Sequence, residues 1–240
     1  MRIVIVGAGI GGLATALSLH AAGFQDVTIL ERSPEVRGLG VGINLLPHAM
    51  RELTELGLAD EIAALGVAPT SLTYGNRYGQ TIWTEPRGIA AGYRWPQMSV
   101  HRGRLQLLLL DAVRERLGDV VRLDRAVTGI DGEDTSPLVR MTDGELGADL
   151  VIAADGIHSA VRRHYYPDEG PPPWSGLTLW RGVARIPTYL DGHSMVMLGD
   201  GDQKFVAYPL SSPDHDGRML VNFIAERRGI EREDADWNRA

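Results

Sequence analysis

Apolar residues follow two rhythms along the chain, and each predicts a different element. Ile3-Val4-Ile5-Val6 is a short continuous β-branched run, the pattern of a parallel strand covered on both faces. Leu13, Ala14, Ala16, Leu17 and Ala21 then recur at helical spacing until Gly23. Val27-Thr28-Ile29-Leu30 predicts a second strand with Glu31 at its carboxyl end, so the opening residues read as one βαβ unit. Residues 38–42 are glycine-rich and carry too few side chains to pack by themselves. Pro47 opens a helix with Met50, Leu53 and Leu56 on one side, stopping at Gly57. Residues 71–83 read as a hairpin, and 102–117 as a strong helix with Leu105, Leu109, Ala112 and Val113 apolar. Strands are predicted over 120–127 and 138–141. A buried strand over 150–154 is broken by Asp155-Gly156 before a short helix. Beyond the boundary at Pro171-Pro172-Pro173, residues 177–186, 195–198, 205–210 and 219–224 alternate as an antiparallel sheet.

Composition removes several classes of function. A chain of 240 residues allows one large domain or two interleaved ones. Acidic residues outnumber basic ones by 31 to 24, which argues against a nucleic-acid partner. With no cysteine there is no disulfide, thiolate nucleophile or cysteine-bound metal. No apolar run approaches the roughly 18 residues of a membrane span. The apolar start lacks the basic segment and cleavage site of a signal peptide. A soluble, cytoplasmic protein with no membrane partner is expected. His48, His101, His158 and His164 lack ligand spacing, so structural roles and no metal are expected.

The chemistry starts at Gly7-Ala8-Gly9-Ile10-Gly11-Gly12, between the first strand and helix. Gly7 permits the tight turn, Gly9 lets backbone approach a pyrophosphate, and Gly12 lets helix and strand pack closely. The helix start directs free N–H groups and a positive dipole end at the phosphates. Glu31 can accept the ribose hydroxyls of an adenosine and would repel the 2′-phosphate of NADPH. The fingerprint alone leaves FAD and NAD open.

A second motif lies in residues 149–162, a hydrophobic run followed by Asp155-Gly156-Ile157-His158-Ser159-Ala160-Val161-Arg162. With the glycine fingerprint, Glu31, Gly40-Val41-Gly42-Ile43-Asn44 and His101-Arg102, it makes the chain resemble the class A FAD-dependent aromatic monooxygenases. The stretches 39–44, 82–88, 101–103 and 180–182, and Asp236-Trp237-Asn238, narrow the likeness to the phenazine- and salicylate-type hydroxylases.

The resemblance implies an α/β fold. A Rossmann-like FAD-binding domain with a parallel sheet (residues 1–69 and 100–166) would be interleaved with an antiparallel-sheet substrate domain (70–99 and 167–240). It implies FAD as cofactor, NAD(P)H and O2 as co-substrates, and hydroxylation of a planar aromatic acid through a flavin C4a-hydroperoxide. Gly7, Gly9 and Gly12 would hold the pyrophosphate, and Glu31, with Arg32 beside it, the ribose. Arg102 would reach the phosphates or ribitol, and Val41 and Gly42 would run along the isoalloxazine. Asp155 and Gly156 would lie under the FAD, with Arg162 supporting that loop or meeting NAD(P)H. Asp155 is equally placed to accept helix N–H groups, and Arg102 and Arg162 to face solvent. Trp180 and Arg181 can line a substrate pocket by stacking and carboxylate pairing, or be a core tryptophan beside an outward arginine. No catalytic side chain is assigned, since the chemistry belongs to the cofactor.

Members of that family also carry a third, glycine–aspartate FAD motif. Gly199-Asp200 and Gly201-Asp202 match it in letters only, because they fall in a turn between strands. The chain is therefore expected to be an N-terminal portion with an incomplete substrate domain. A non-hydroxylating flavin oxidoreductase and an inactive FAD-binding fragment remain the alternatives.

Overall fold

In a computed structural model of the chain, residues 1–133 and 136–229 are described. Asp236-Trp237-Asn238 lies outside the described residues. The chain packs as two compact units. One comprises Met1–Gly38 with Gln106–Pro173, the other Leu39–Leu105 with Trp174–Ala240. Residues 39–69 and 100–105 thus pack in the second unit.

The first unit is organised by the strand Ile3–Val6, buried along its whole length. It lies between two parallel neighbours, Leu150–Ala153 and Val27–Leu30, and Val121–Arg122 extends the sheet to four strands. β-branched residues suit this position because each face of the strand meets another layer. The helix Ile10–Ala21 buries Leu13, Ala16 and Leu17, and Gly23 follows at φ +92°. A three-stranded antiparallel sheet (Val127–Glu133, Ser136–Met141, Gly144–Gly147) packs Val139, with Ala148, against Val4 and Leu30. The short helix Ala160–Tyr165 puts Val161 against Val6 and Ile130.

Two expectations need correction here. Leu150–Ala153 is the edge of the described sheet rather than a buried strand; among the described residues it pairs only with Ile3–Val6, and Leu150 is 40% exposed. The single strand expected over 120–127 is two. Asp124 at φ 55° turns the chain between Val121–Arg122 in one sheet and Val127–Glu133 in another, a conformation aspartate tolerates.

The second unit carries a six-stranded sheet, in spatial order Leu177–Pro187, Arg218–Arg228, Gln203–Pro209, Ser194–Gly199, Ser71–Gly75 and Thr81–Pro86. Its pairings are antiparallel except one. The hairpin formed by Ser71–Gly75 and Thr81–Pro86, from much earlier in the chain, joins Ser194–Gly199 in parallel, so the sheet is mixed rather than wholly antiparallel. Leu72, Met195, Tyr208 and Leu210 form its core. A smaller sheet places Met98–His101 between Gly42–Leu45 and Gly66–Val67. Among the described residues no helix is long and apolar enough to cross a membrane.

Candidate functional site

In the first unit the glycine fingerprint is held by contacts that only glycine permits. Gly7 turns at φ +103°, and a Cβ there would sit 2.6 Å from the Ala154 carbonyl oxygen. A Cβ on Gly12 would sit 1.9 Å from the Gly7 carbonyl oxygen, so helix and turn are in backbone contact. Gly9 and Gly11 differ, because a Cβ on either meets nothing within 4 Å. Gly9 is the helix N-cap in extended conformation, and no side chain caps the helix. The first turn therefore offers N–H groups beside open space, the setting in which a phosphate fits.

Glu31 is fixed by two backbone donors. Ala8 N–H donates to Oε2 at 2.8 Å and Ser33 N–H to Oε1 at 2.9 Å, so its carboxylate ties the end of the second strand to the fingerprint loop. Each oxygen keeps a further lone pair for a hydroxyl donor. Arg32, next in sequence, is exposed. Gln106 was not singled out from sequence, where it is one polar residue in a leucine-rich helix. Its amide donates to the Ala8 carbonyl at 2.9 Å and holds the same loop from the other side.

The second motif meets the first at Gly7, whose Cβ position lies 3.1 Å from the Asp155 Cα. The Asp155 carboxylate accepts from the Ser159 hydroxyl at 2.6 Å and from Ala160 N–H at 2.7 Å, while Ser159 Oγ accepts Arg162 N–H at 2.9 Å. Asp155 thus caps the start of Ala160–Tyr165 through its neighbours, and Gly156 turns at φ +80° to allow it. The Arg162 side chain is exposed and paired with Glu169, its Nε donating at 2.6 Å.

In the second unit the glycine-rich stretch is drawn against the large sheet. Gly42 N–H donates to Asn222 Oδ1 at 2.7 Å, and a Cβ on Gly42 would lie 2.7 Å from the Tyr208 ring. Arg102 N–H donates to the Val41 carbonyl at 2.9 Å, and the Arg102 side chain runs beside Gly40, which sits at φ +124°. Asn222 and Tyr208 were missed in the sequence because a lone amide and a tyrosine in alternating strands carry no pattern. Asn222 is fully buried, and its Nδ2 has no partner among the described residues. Burial raises the Tyr208 phenol to about 12, with Arg181 pulling the other way, so it is a neutral donor at physiological pH.

Register separates the two residues expected to line a substrate pocket. Arg181 pairs with Ile224 and Val183 with Asn222, which in turn pairs with Tyr208. Side chains alternate along a strand, so Arg181 shares the face of Asn222, Tyr208 and Gly42, and Trp180 points to the opposite face. Gly199-Asp200 lies in the turn between Ser194–Gly199 and Gln203–Pro209. There Asp200 accepts from Asp202 and Gln203 N–H groups, which hold its carboxyl below the usual range.

His101 adjoins Arg102 in this loop region. Burial, with the nearby Arg104 charge, lowers its pKa below 6.5, against an opposing contact from the Gly40 backbone. A group that is harder to protonate when folded contributes stability above its unfolded pKa and loses it as pH falls through the folded value. Thermal melts should therefore show a smaller stability loss between pH 7.5 and pH 5.5 for His101→Gln than for the unsubstituted chain. Equal losses would remove His101 from the acid response.

A sequence model of the FAD binding domain family matches residues 1–237. Phenazine 1,6-dicarboxylic acid hydroxylase from Lysobacter antibioticus is 46% identical over 234 residues, covering 92% of this chain and 57% of that protein. 3-Amino-4-hydroxybenzoate 2-monooxygenase from Streptomyces cremeus is 34% identical over 233 residues, covering 94% of this chain and 56% of that protein. Among solved structures, 2,6-dihydroxypyridine-3-hydroxylase from Arthrobacter nicotinovorans superposes with a TM-score of 0.76 at 26% identity, covering 98% of this chain and 58% of that one. Klebsiella pneumoniae HpxO, complexed with FAD and uric acid, gives 0.77 at 25% identity, covering 98% and 58%. The chain spans little more than half the length of these two curated relatives.

Proposed function

The chain belongs to the FAD binding domain family, among the class A flavin monooxygenases, and on that premise we propose that it serves an FAD-dependent hydroxylase of a planar aromatic acid. The observation that carries the reading is the fingerprint. Gly7 and Gly12 are occupied by backbone contacts, whereas Gly9 and Gly11 face open space at an uncapped helix start. That arrangement fits the pyrophosphate of FAD.

In this reading the first-turn N–H groups bind the pyrophosphate, and Glu31 accepts from the ribose while keeping its grip on Ala8. Asp155 and Gly156 hold the loop beside Gly7 in place for the cofactor. Val41 and Gly42 present backbone to the flavin ring, and Arg102 supplies a cation to phosphate or ribitol. Arg181 and Tyr208 share the face of Gly42 and can pair with the carboxylate and hydroxyl of an aromatic acid. The redox chemistry, two electrons from NAD(P)H and the activation of dioxygen, is supplied by FAD when bound. The protein's part is to orient the ring and exclude water. Arg162 serves chiefly as the partner of Glu169.

The test is NAD(P)H oxidation by the FAD-loaded protein with and without an aromatic acid, with product analysis. The expected result is stimulation by the acid and a product one oxygen atom heavier. Oxidation without hydroxylated product would instead favour a flavin oxidoreductase that does not hydroxylate.

A further inference from the structure

The fingerprint loop is held one peptide plane at a time. Gly7 N–H donates to the Leu30 carbonyl at 2.7 Å, and Ala8 N–H to Glu31 Oε2 at 2.8 Å. The Gly7 carbonyl shares a plane with Ala8 N–H and points the other way, toward Gly12, whose Cβ position lies 1.9 Å from it. The next plane joins Ala8 to Gly9. Its carbonyl accepts from Gln106 Nε2 at 2.9 Å, and the Gly9 carbonyl beyond it accepts the first helical bond, from Leu13 N–H at 3.0 Å. Of the three N–H groups from Gly7 to Gly9, only that of Gly9 has no hydrogen-bond partner among the described residues.

The Ala8–Gly9 peptide is trans, so its carbonyl and its N–H point in opposite directions, and a group that holds the first aims the second. The plane turns about ψ of Ala8 and φ of Gly9, and glycine tolerates a wide range of φ. Neither the Glu31 contact, which lies on the plane before, nor the Leu13 bond, which lies on the plane after, fixes it. Gln106 does. Its amide comes from the helix Arg102–Leu117, anchored along its length by the fully buried Leu109 and Val113, and the side chain itself is half-buried. An amide is suited to the task, because it donates to a carbonyl without setting a charge beside the helix start.

We propose that Gln106 is a positioning residue for the cofactor: by holding the Ala8 carbonyl it turns Gly9 N–H toward the open space at the helix start, where the pyrophosphate of FAD would accept it. This role rests on the flavin reading above and is exerted through the Ala8–Gly9 peptide. FAD affinity is measured by flavin fluorescence at pH 8.0 and pH 5.0, each value divided by that of the unsubstituted protein at the same pH. Gln106→Leu, which cannot donate, should bind FAD about tenfold more weakly at both. Gln106→Glu should lose at least as much at pH 8.0, where a carboxylate only accepts. It should recover at least fivefold at pH 5.0, where the protonated acid donates to Ala8. A carboxyl facing a carbonyl holds its proton above the usual carboxylate range. Recovery within one protein does not arise from misfolding, and Glu31, on the other side of Ala8, is common to all three proteins.

A second readout needs no FAD. In protein labelled with nitrogen-15 glycine, the Gly9 amide signal is identified by its loss in Gly9→Ala. It should move between pH 8.0 and pH 5.0 in FAD-free Gln106→Glu and stay in place in the unsubstituted protein, which a contact of residue 106 with FAD alone would not produce. The proposal is overturned by Gln106→Leu binding FAD as the unsubstituted protein does, by Gln106→Glu staying equally weak at both pH values, or by a Gly9 signal in that variant that ignores pH. An unsubstituted protein that binds no FAD overturns the flavin reading first and this role with it, so the two failures are told apart.

Discussion

Gly9→Ala is expected to leave the melting temperature unchanged and to weaken FAD binding at least tenfold. Gly9 already has φ −72° and ψ 176°, a conformation alanine adopts freely, and its Cβ would meet nothing within 4 Å. Nothing in the protein therefore requires glycine there; only a group approaching the helix start does. A tenfold loss corresponds to about 1.4 kcal/mol, a modest demand for a methyl group placed against a phosphate. Gly12→Ala gives the contrast. Its Cβ would lie 1.9 Å from the Gly7 carbonyl oxygen, so helix and turn must separate. Overpacking of this kind costs about 1–3 kcal/mol or more, against the roughly 1 kcal/mol that alanine gains over glycine in a helix. Gly12→Ala should thus lose both stability and FAD, and Gly9→Ala FAD alone. Thermal melts and flavin-fluorescence titrations on the pair check this, and undiminished FAD binding by Gly9→Ala would mean that the fingerprint is only a tight turn.

Asn222→Leu should destabilise the second unit by about 1–3 kcal/mol, the usual cost of stranding a buried backbone donor. The side chain is fully buried, and its Oδ1 is the acceptor for Gly42 N–H at 2.7 Å. Leucine fills similar space but accepts nothing, so Gly42 either loses its bond inside the protein or pulls the strand Gly42–Leu45 away from the sheet. In urea unfolding the midpoint should fall at constant slope. FAD affinity should fall with it, since Val41 and Gly42 are the backbone proposed to meet the flavin. A midpoint equal to that of the unsubstituted chain would show that the Asn222 contact does not hold the loop.

What could be read from the sequence and what could not divide along physical lines. The strand Ile3–Val6, the turn at Gly7 and the helix behind it were legible because periodicity and glycine spacing are local. The helix Arg102–Leu117 was legible for the same reason, its leucines recurring at helical spacing. The partners of Gly42 were not, because Asn222 is 180 residues away and its importance comes from register across the strands that bring it beside Tyr208. For Trp180 and Arg181 the alternation of a strand was legible, but which of them shares the face of Gly42 was not, because that depends on register with Asn222 and Tyr208. The exposure of Leu150–Ala153 was hidden too. Its run of apolar residues matches a central strand, and only pairing shows that it is an edge.

The most direct test of the central claim is a titration of the purified protein with FAD, followed by flavin fluorescence, with NAD titrated in parallel. Saturable FAD binding without comparable NAD binding is the expected result, because the open fingerprint and Glu31 are read as a flavin adenine dinucleotide site. A folded protein that binds NAD as well as or better than FAD, or that binds neither, would contradict it.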